Sequence, residues 1–215
     1  MKQDHIKKAK ELYLVTDRRW LKQETLKEAV EKSLKGGVTC VQLREKQISE
    51  DEFIKEARVL KRVCQEHHVP LIINDNIDVM LAVEADGVHV GQSDMNASLV
   101  REKIGNDKIL GVSVQTLEQA YLAQEAGADY LGVGAVFSTG TKDDAIEVSY
   151  DTLKNICIHV DIPVVAIGGI TQENILKLKG SHVDGVAVVS AIMAQEDIFK
   201  ASRSLKEKCE ELISD

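Results

Sequence analysis

At 215 residues with a formal net charge of −8, the chain is long enough for one sizeable core, and its acidity works against partners such as nucleic acid. Its 44% apolar and 29% charged residues are an ordinary globular balance, which argues against a disordered chain. The longest apolar runs, VPLII and IPVVAI, fall well short of the roughly 20 residues of a spanning helix, and MKQDHIKKAKELYLV has no apolar leader, so no membrane partner and a cytoplasmic location are expected.

Short β-branched runs alternate with helical periods almost from end to end, which predicts repeated βα units around a parallel sheet. The strands are expected at Leu12–Thr16, Thr39–Leu43, Pro70–Ile73, Gly87–Val90, Ile109–Val112, Tyr130–Val133, Pro163–Ile167 and Gly185–Val189. Amphipathic stretches between them include Glu24–Lys35, Asp51–His67, Leu117–Ala126 and Asn174–Lys179. Glycines at Gly36-Gly37, Gly127 and Gly180 suit left-handed helix ends. An acidic residue and a glycine introduce a strand three times, in VEADGV, EAGADYLGV and SHVDGVAV, as one repeated module would. Strict alternation without a GxGxxG turn after the first strand favours a closed (β/α)8 TIM barrel over an open sheet, as one domain spanning residues 1–215.

In a barrel of this kind the chemistry sits on the loops after the strands. The second strand runs into QLREK, whose alternation puts Gln42, Arg44 and Lys46 on one side, a donor set for phosphate or pyrophosphate. The competing reading is a solvated loop in which Glu45 pairs a neighbour. After the third strand stand Asn74 and Asp75, and after the fourth Asp94. Carboxylates on adjacent strand ends can share a hard cation such as Mg2+, although each could instead cap a helix. Ser113 closes the fifth strand, where it could donate to a leaving oxyanion or simply finish the strand; Thr116 suits a helix cap. The FSTGTKDDA loop brings hydroxyls and Lys142, suited to a second anion or to a closing loop.

The last two strands end in VAIGGI, which runs into a helix signal at Thr171, and DGVAVVSAI. Small residues there can turn backbone N–H groups and a helix N-terminus toward an anion, which points to a phosphorylated small molecule. Cys40, Cys64, Cys157 and Cys209 are scattered without metal-site spacing and are expected as free thiols. His89 lies within a strand and is expected to be packed or satisfied by a neighbour, and no Ser/His/Asp or Cys/His nucleophilic set is legible.

With QLREK, IINDN, DGVHVGQSD, GVS, TGTK, AIGGI and VVSAI in that order, the chain resembles the thiamine-phosphate synthase family along nearly its whole length. The resemblance implies a (β/α)8 barrel, commonly a homodimer, that joins a hydroxymethylpyrimidine diphosphate to a thiazole phosphate with Mg2+. It further implies that Gln42, Arg44, Lys46 and Asn74 hold the pyrimidine diphosphate, that Asp75 and Asp94 bind Mg2+, and that Ser113 and Lys142 contact the pyrophosphate. Thr139, Thr141, Gly169, Val189 and Ser190 would hold the thiazole phosphate. Where many relatives read GP[IV][FY]PT, this chain has Gly134-Ala135-Val136-Phe137-Ser138-Thr139, and loss of both prolines is expected to loosen that loop. A related thiazole tautomerase would need a proton-transfer base where Gln115 stands, and an amide cannot shuttle a proton at neutral pH. A noncatalytic phosphate sensor would lack a group that this chain retains, and a sugar-phosphate isomerase on the same barrel would leave the NDN and QSD carboxylates unexplained.

Overall fold

The computed structural model describes residues 6, 11–21, 24–138 and 147–214. Eight parallel strands close a barrel in chain order: β1 Leu12–Val15, β2 Cys40–Leu43, β3 Leu71–Asn74, β4 Gly87–Val90, β5 Ile109–Val114, β6 Tyr130–Val133, β7 Val164–Ile167 and β8 Gly185–Val188. Closure is made by β1 against β8, with Leu12 opposite Val186 and Leu14 opposite Val188. Around it run α1 Leu26–Lys35, α2 Glu50–Glu66, α3 Ile77–Val83, α4 Ala97–Ile104, α5 Leu117–Glu125, α6 Tyr150–His159, α7 Ser190–Met193 and α8 Ile198–Ile213. This is the (β/α)8 architecture expected from the alternation. No helix among the described residues is long and apolar enough to cross a membrane.

The expected strands differ from the observed ones only at their ends. β3 and β7 begin one residue after Pro70 and Pro163, because proline has no N–H to donate to the ladder. Each proline still serves as an acceptor, from Val41 N at 3.1 Å and Leu131 N at 2.9 Å. Helix starts are set by local chemistry: Thr25 with Glu28 and Ser49 with Glu52 form capping boxes at α1 and α2. The stretch Asn174–Lys179 is a short 3-10 helix, Ile175–Leu178, rather than an α-helix. Of the glycine pair after α1, Gly37 takes the positive φ of 105° and Gly36 stays right-handed.

The recurrent acidic residue before a strand has a structural cause. Asp86, Asp129 and Asp184 each accept, through Oδ2, from an N–H at the start of the preceding strand: Leu71, first in β3, at 2.9 Å, Leu110, second in β5, at 2.8 Å, and Val164, first in β7, at 2.9 Å. Their own N–H groups return bonds to the carbonyls of the same residues at 3.0, 2.7 and 2.8 Å. Thr39 does the same for Leu12, accepting at 3.1 Å. Four strand pairs are thus clamped at the face where the strands begin, which frees the opposite rim for chemistry.

Side chains alternate between two apolar layers. Leu12, Val41, Ile73, Val88, Leu131 and Val186 face the helices, while Tyr13, Val15, Cys40, Ile72, Ile109, Tyr130, Val165 and Ala187 fill the barrel. These interior side chains are all buried, so the rim where the strands end is the place open to a ligand.

Candidate functional site

Asp75 and Asp94 meet at that rim. Asp75 follows β3 with φ 61°, a left-handed turn that aspartate tolerates better than most residues. Its N–H donates to the His89 carbonyl at 2.8 Å, tying it to β4. Neither aspartate caps a helix: Asn76 and Asn96 cap α3 and α4 instead. Asp94 Oδ2 accepts from Gly91 N at 2.7 Å, and its carboxyl lies close enough to that of Asp75 for the two to interact. Burial, then the neighbouring Asp75 carboxylate, push the Asp94 carboxyl above the usual aspartate range, against the pull of the Gly91 N–H and Lys46. Two facing hard-oxygen donors suit Mg2+, which takes one or two carboxylates and fills its remaining positions with phosphate oxygens and water. No cluster of three or more His, Cys, Asp or Glu with metal-site geometry occurs among the described residues.

The basic groups stand beside this pair. Lys46 Nζ lies 2.5 Å from Asp75 Oδ2. Arg44 and Lys46 fall just past the end of β2, so the strand alternation that would align them with Gln42 stops at Leu43 and the loop places them instead. Glu45 does pair a neighbour, Arg18 Nε at 2.5 Å, and is thereby drawn away from the two cations that flank it in sequence. Arg44 donates its backbone N–H to Thr16 Oγ1 at 3.1 Å, and its guanidinium stands 4.0 Å from Asp17 Oδ2. Asp17, 5% exposed, was not legible as a site residue. Burial works to raise its carboxyl, but hydrogen bonds from the Arg19 side chain and backbone hold it below the usual range, which keeps a negative charge behind Arg44.

On the far side of the rim, β7 runs into Gly168 and Gly169, with φ 100° and 64°. A Cβ on Gly169 would fall 2.7 Å from the Phe137 carbonyl oxygen and closer still to that of Ser138. The segment after β6 is knitted to this turn by Val136 N to Ile167 O at 3.0 Å and Phe137 N to Gly168 O at 3.1 Å, while Val148 N reaches Ala135 O at 2.7 Å. Three bonds therefore hold the stretch where proline was missed in the sequence. No helix begins at Thr171: Asn174 Oδ1 accepts from Thr171 N at 2.8 Å and its amide donates to Gly169 O at 2.8 Å, which closes a turn. The helix N-terminus at the rim is that of α7, where Val189 and Ser190 follow β8. Thr139, Thr141 and Lys142 lie outside the described residues.

Beneath the rim a line of polar groups crosses the barrel. Gln42 Nε2 donates to Tyr13 Oη at 2.9 Å, Tyr13 Oη meets Tyr130 Oη at 2.8 Å, Tyr130 Oη meets His89 Nδ1 at 2.8 Å, and His89 Nε2 meets Ser113 Oγ at 2.8 Å. These residues come from β2, β1, β6, β4 and β5. Room for the rings is made by glycines: a Cβ on Gly111 would overlap Tyr130 and His89, and one on Gly132 would sit 3.1 Å from His89 Cε1. Burial pulls the imidazole down to about 4, with the Asp94 carboxylate pulling the other way, so the ring is neutral at physiological pH. His89 is satisfied by neighbours as expected; that those neighbours link Gln42 to Ser113 could not be read from spacing.

Nothing here supplies a thiolate. Cys40, Cys64 and Cys209 are buried, and burial pushes the Cys157 and Cys209 thiols up to about 12. Among the described residues the rim thus brings together two carboxylates, Arg44, Lys46 and a glycine turn, with no thiolate beside them.

The thiamine monophosphate synthase family model matches residues 12–192. The thiamine-phosphate synthase of Clostridium botulinum (strain Eklund 17B / Type B) is 54% identical over 201 residues, covering 94% of both chains. That of Ruminiclostridium cellulolyticum is 56% identical over 196 residues, 91% of this chain and 93% of the other. Among solved structures, the thiamine phosphate pyrophosphorylase from Pyrococcus furiosus superposes with a TM-score of 0.90 at 39% identity, covering 97% of this chain and all of that one.

Proposed function

The chain belongs to the thiamine monophosphate synthase family and carries out its reaction in thiamine biosynthesis; from that premise we propose that it joins a hydroxymethylpyrimidine diphosphate to a thiazole phosphate at the rim of its barrel, working as one unit over residues 1–215 and releasing pyrophosphate. The observation that carries this reading is the Asp75–Asp94 pair beside Lys46, on the same rim as the Gly169 turn. Arg44, Lys46, Ser113 and Lys142 would bind the diphosphate, with Gln42 and Asn74 on the pyrimidine side. Thr139, Thr141, Gly169, Val189 and Ser190 would bind the second phosphate, the last three through a turn whose N–H groups are left over by α7 and the glycines. Held by Asp75 and Asp94, Mg2+ would neutralise negative charge on the diphosphate oxygens.

The bond between the benzylic-type carbon and the diphosphate oxygen breaks with its electron pair on the leaving group. The aminopyrimidine carries the resulting cation, and the thiazole nitrogen donates its lone pair to form the new C–N bond. Cations aimed at the departing oxygens favour the charge that develops there. The protein adds orientation and exclusion of water, since the cation would otherwise be trapped as the alcohol. With the two substrates, the purified protein is expected to release one pyrophosphate per thiamine phosphate formed, and only when Mg2+ is present. Joining that is unchanged in excess chelator would remove the metal from the mechanism, and no joining under any condition would remove the reading.

We also propose a homodimer. Leu99 on α4, Leu122 on α5 and Ile158 on α6 are 53%, 59% and 56% exposed, an apolar excess on neighbouring helices that a second copy would cover. Sedimentation at micromolar concentration is expected to give twice the chain mass of 23.7 kDa; a monomer at all concentrations sinks the idea.

A further inference from the structure

The polar line across the barrel is more than a set of satisfied groups, because its protons can run from end to end in two opposite registers. In one, Gln42 donates to Tyr13, Tyr13 to Tyr130, Tyr130 to His89 Nδ1, and His89 Nε2–H to Ser113. In the other every arrow reverses. The first follows from the placement of Gln42 Nε2, which can only donate, against Tyr13 at 2.9 Å. The Tyr13 proton must then go to Tyr130 Oη at 2.8 Å or to the Cys40 thiol, and a phenol oxygen is the better acceptor. Tyr130 passes its proton toward Nδ1, which leaves the ring hydrogen on Nε2, 2.8 Å from Ser113 Oγ.

The two ends give the register its meaning. A diphosphate offers acceptors only, so Ser113 is useful to it as a donor, and a serine has one proton to give. In the first register that proton is free because His89 donates to the Ser113 oxygen. In the reverse register Ser113 spends it on His89 and turns lone pairs toward an anion. At the other end Gln42, having committed an N–H to Tyr13, has its Oε1 available as an acceptor, the partner an exocyclic amino group requires. We propose that Tyr13, Tyr130 and His89 are positioning residues forming a one-way hydrogen-bond relay that sets Ser113 as a donor to the diphosphate and Gln42 as an acceptor for the aminopyrimidine. This rests on the substrate reading above and adds to it three residues that need not touch the reacting atoms.

Histidine-selective 15N labelling reads the relay without substrate. His89, picked out from the six histidines by its absence in His89→Gln, is expected to show a pyridine-like Nδ1 and a pyrrole-like Nε2 at neutral pH. The opposite tautomer, or an imidazolium, overturns the proposal. In Tyr130→Phe the donor to Nδ1 is gone, so the two tautomers should mix and kcat should fall by about 10-fold to 100-fold, as loss of one charge-assisted hydrogen bond does, with KM for the thiazole phosphate unchanged. Tyr13→Phe, one step further back, should shift the tautomer ratio less and serves if Tyr130→Phe does not fold. A variant that keeps the wild-type tautomer and loses activity only in step with Tm marks a purely structural role and also overturns the relay. The two readings fail separately. Wild-type protein that does not join the substrates but shows the expected tautomer refutes the reaction, whereas active protein with the reverse tautomer refutes the relay alone.

Discussion

Asp94→Asn lowers kcat for joining by at least about 100-fold, the scale of losing one preorganised electrostatic contact to developing negative charge, while the metal-free protein keeps or gains stability. The first half follows if Asp75 and Asp94 together hold the cation, because an amide oxygen is a weak ligand for Mg2+. The second half follows from the environment of the carboxyl. Burial and the facing Asp75 raise the Asp94 carboxyl, so the folded chain holds that proton to higher pH than the unfolded chain does. The resulting stabilisation is fully present below the unfolded aspartate value and is lost as pH rises through the raised folded value. Near neutral pH the ionised pair is therefore a burden on the metal-free fold, and asparagine removes it while its Oδ1 can keep the bond from Gly91. Thermal unfolding in chelator should show the variant at or above wild type near neutral pH, with the gap closing as the pH falls toward the ordinary aspartate range. Mg2+ with pyrophosphate should raise the wild-type Tm and leave that of the variant unmoved. Wild-type turnover in Asp94→Asn would falsify the metal assignment; activity and metal-free stability falling together would make the residue structural.

Gly169→Ala is expected to raise KM for the thiazole phosphate by about 10-fold or more, equivalent to one or two hydrogen bonds to a charged group, and to leave KM for the pyrimidine diphosphate nearly as it was. Two costs meet at this position. The φ of 64° disfavours any L side chain by about 1–2 kcal/mol, and the new methyl would press on the Phe137 and Ser138 carbonyls. To make room, the segment after β6 must move off the β7 turn, and the N–H groups of that turn move with it. Gly105→Ala separates the two effects, since Gly105 has a φ of 71° and open space where its Cβ would go. Both variants should lose stability from backbone strain, and only Gly169→Ala should lose substrate. Equal KM values in the two variants would show that the turn does not hold the phosphate.

The barrel was legible because its signals are local. Period-two apolar runs, capping boxes such as Thr25 with Glu28, and prolines and glycines at element ends each act within a few residues, and the closed eight-strand order follows from their strict alternation. The rim positions of Arg44, Lys46, Asp75 and Asp94 were legible for the same reason, since each lies within a few residues of the end of an apolar run. Local signals also misled. Thr171 reads as a helix start but closes a turn with Asn174, and the alternative of Asp75 as a cap fails because Asn76 does that work.

What the chain alone determined is which residues end each strand; what only the folded barrel decided is which of those ends face one another and what they share. Asp75 faces Asp94 because β3 and β4 are neighbours, and Asp17 backs Arg44 because β1 lies beside β2. Tyr13 and Tyr130 stand 117 positions apart in the chain and 2.8 Å apart in the barrel, a separation that periodicity within a short window cannot see. Hydrogen bonds and carboxylate repulsion act over a few ångströms of space, and closing the sheet is what turns distant sequence positions into such neighbours.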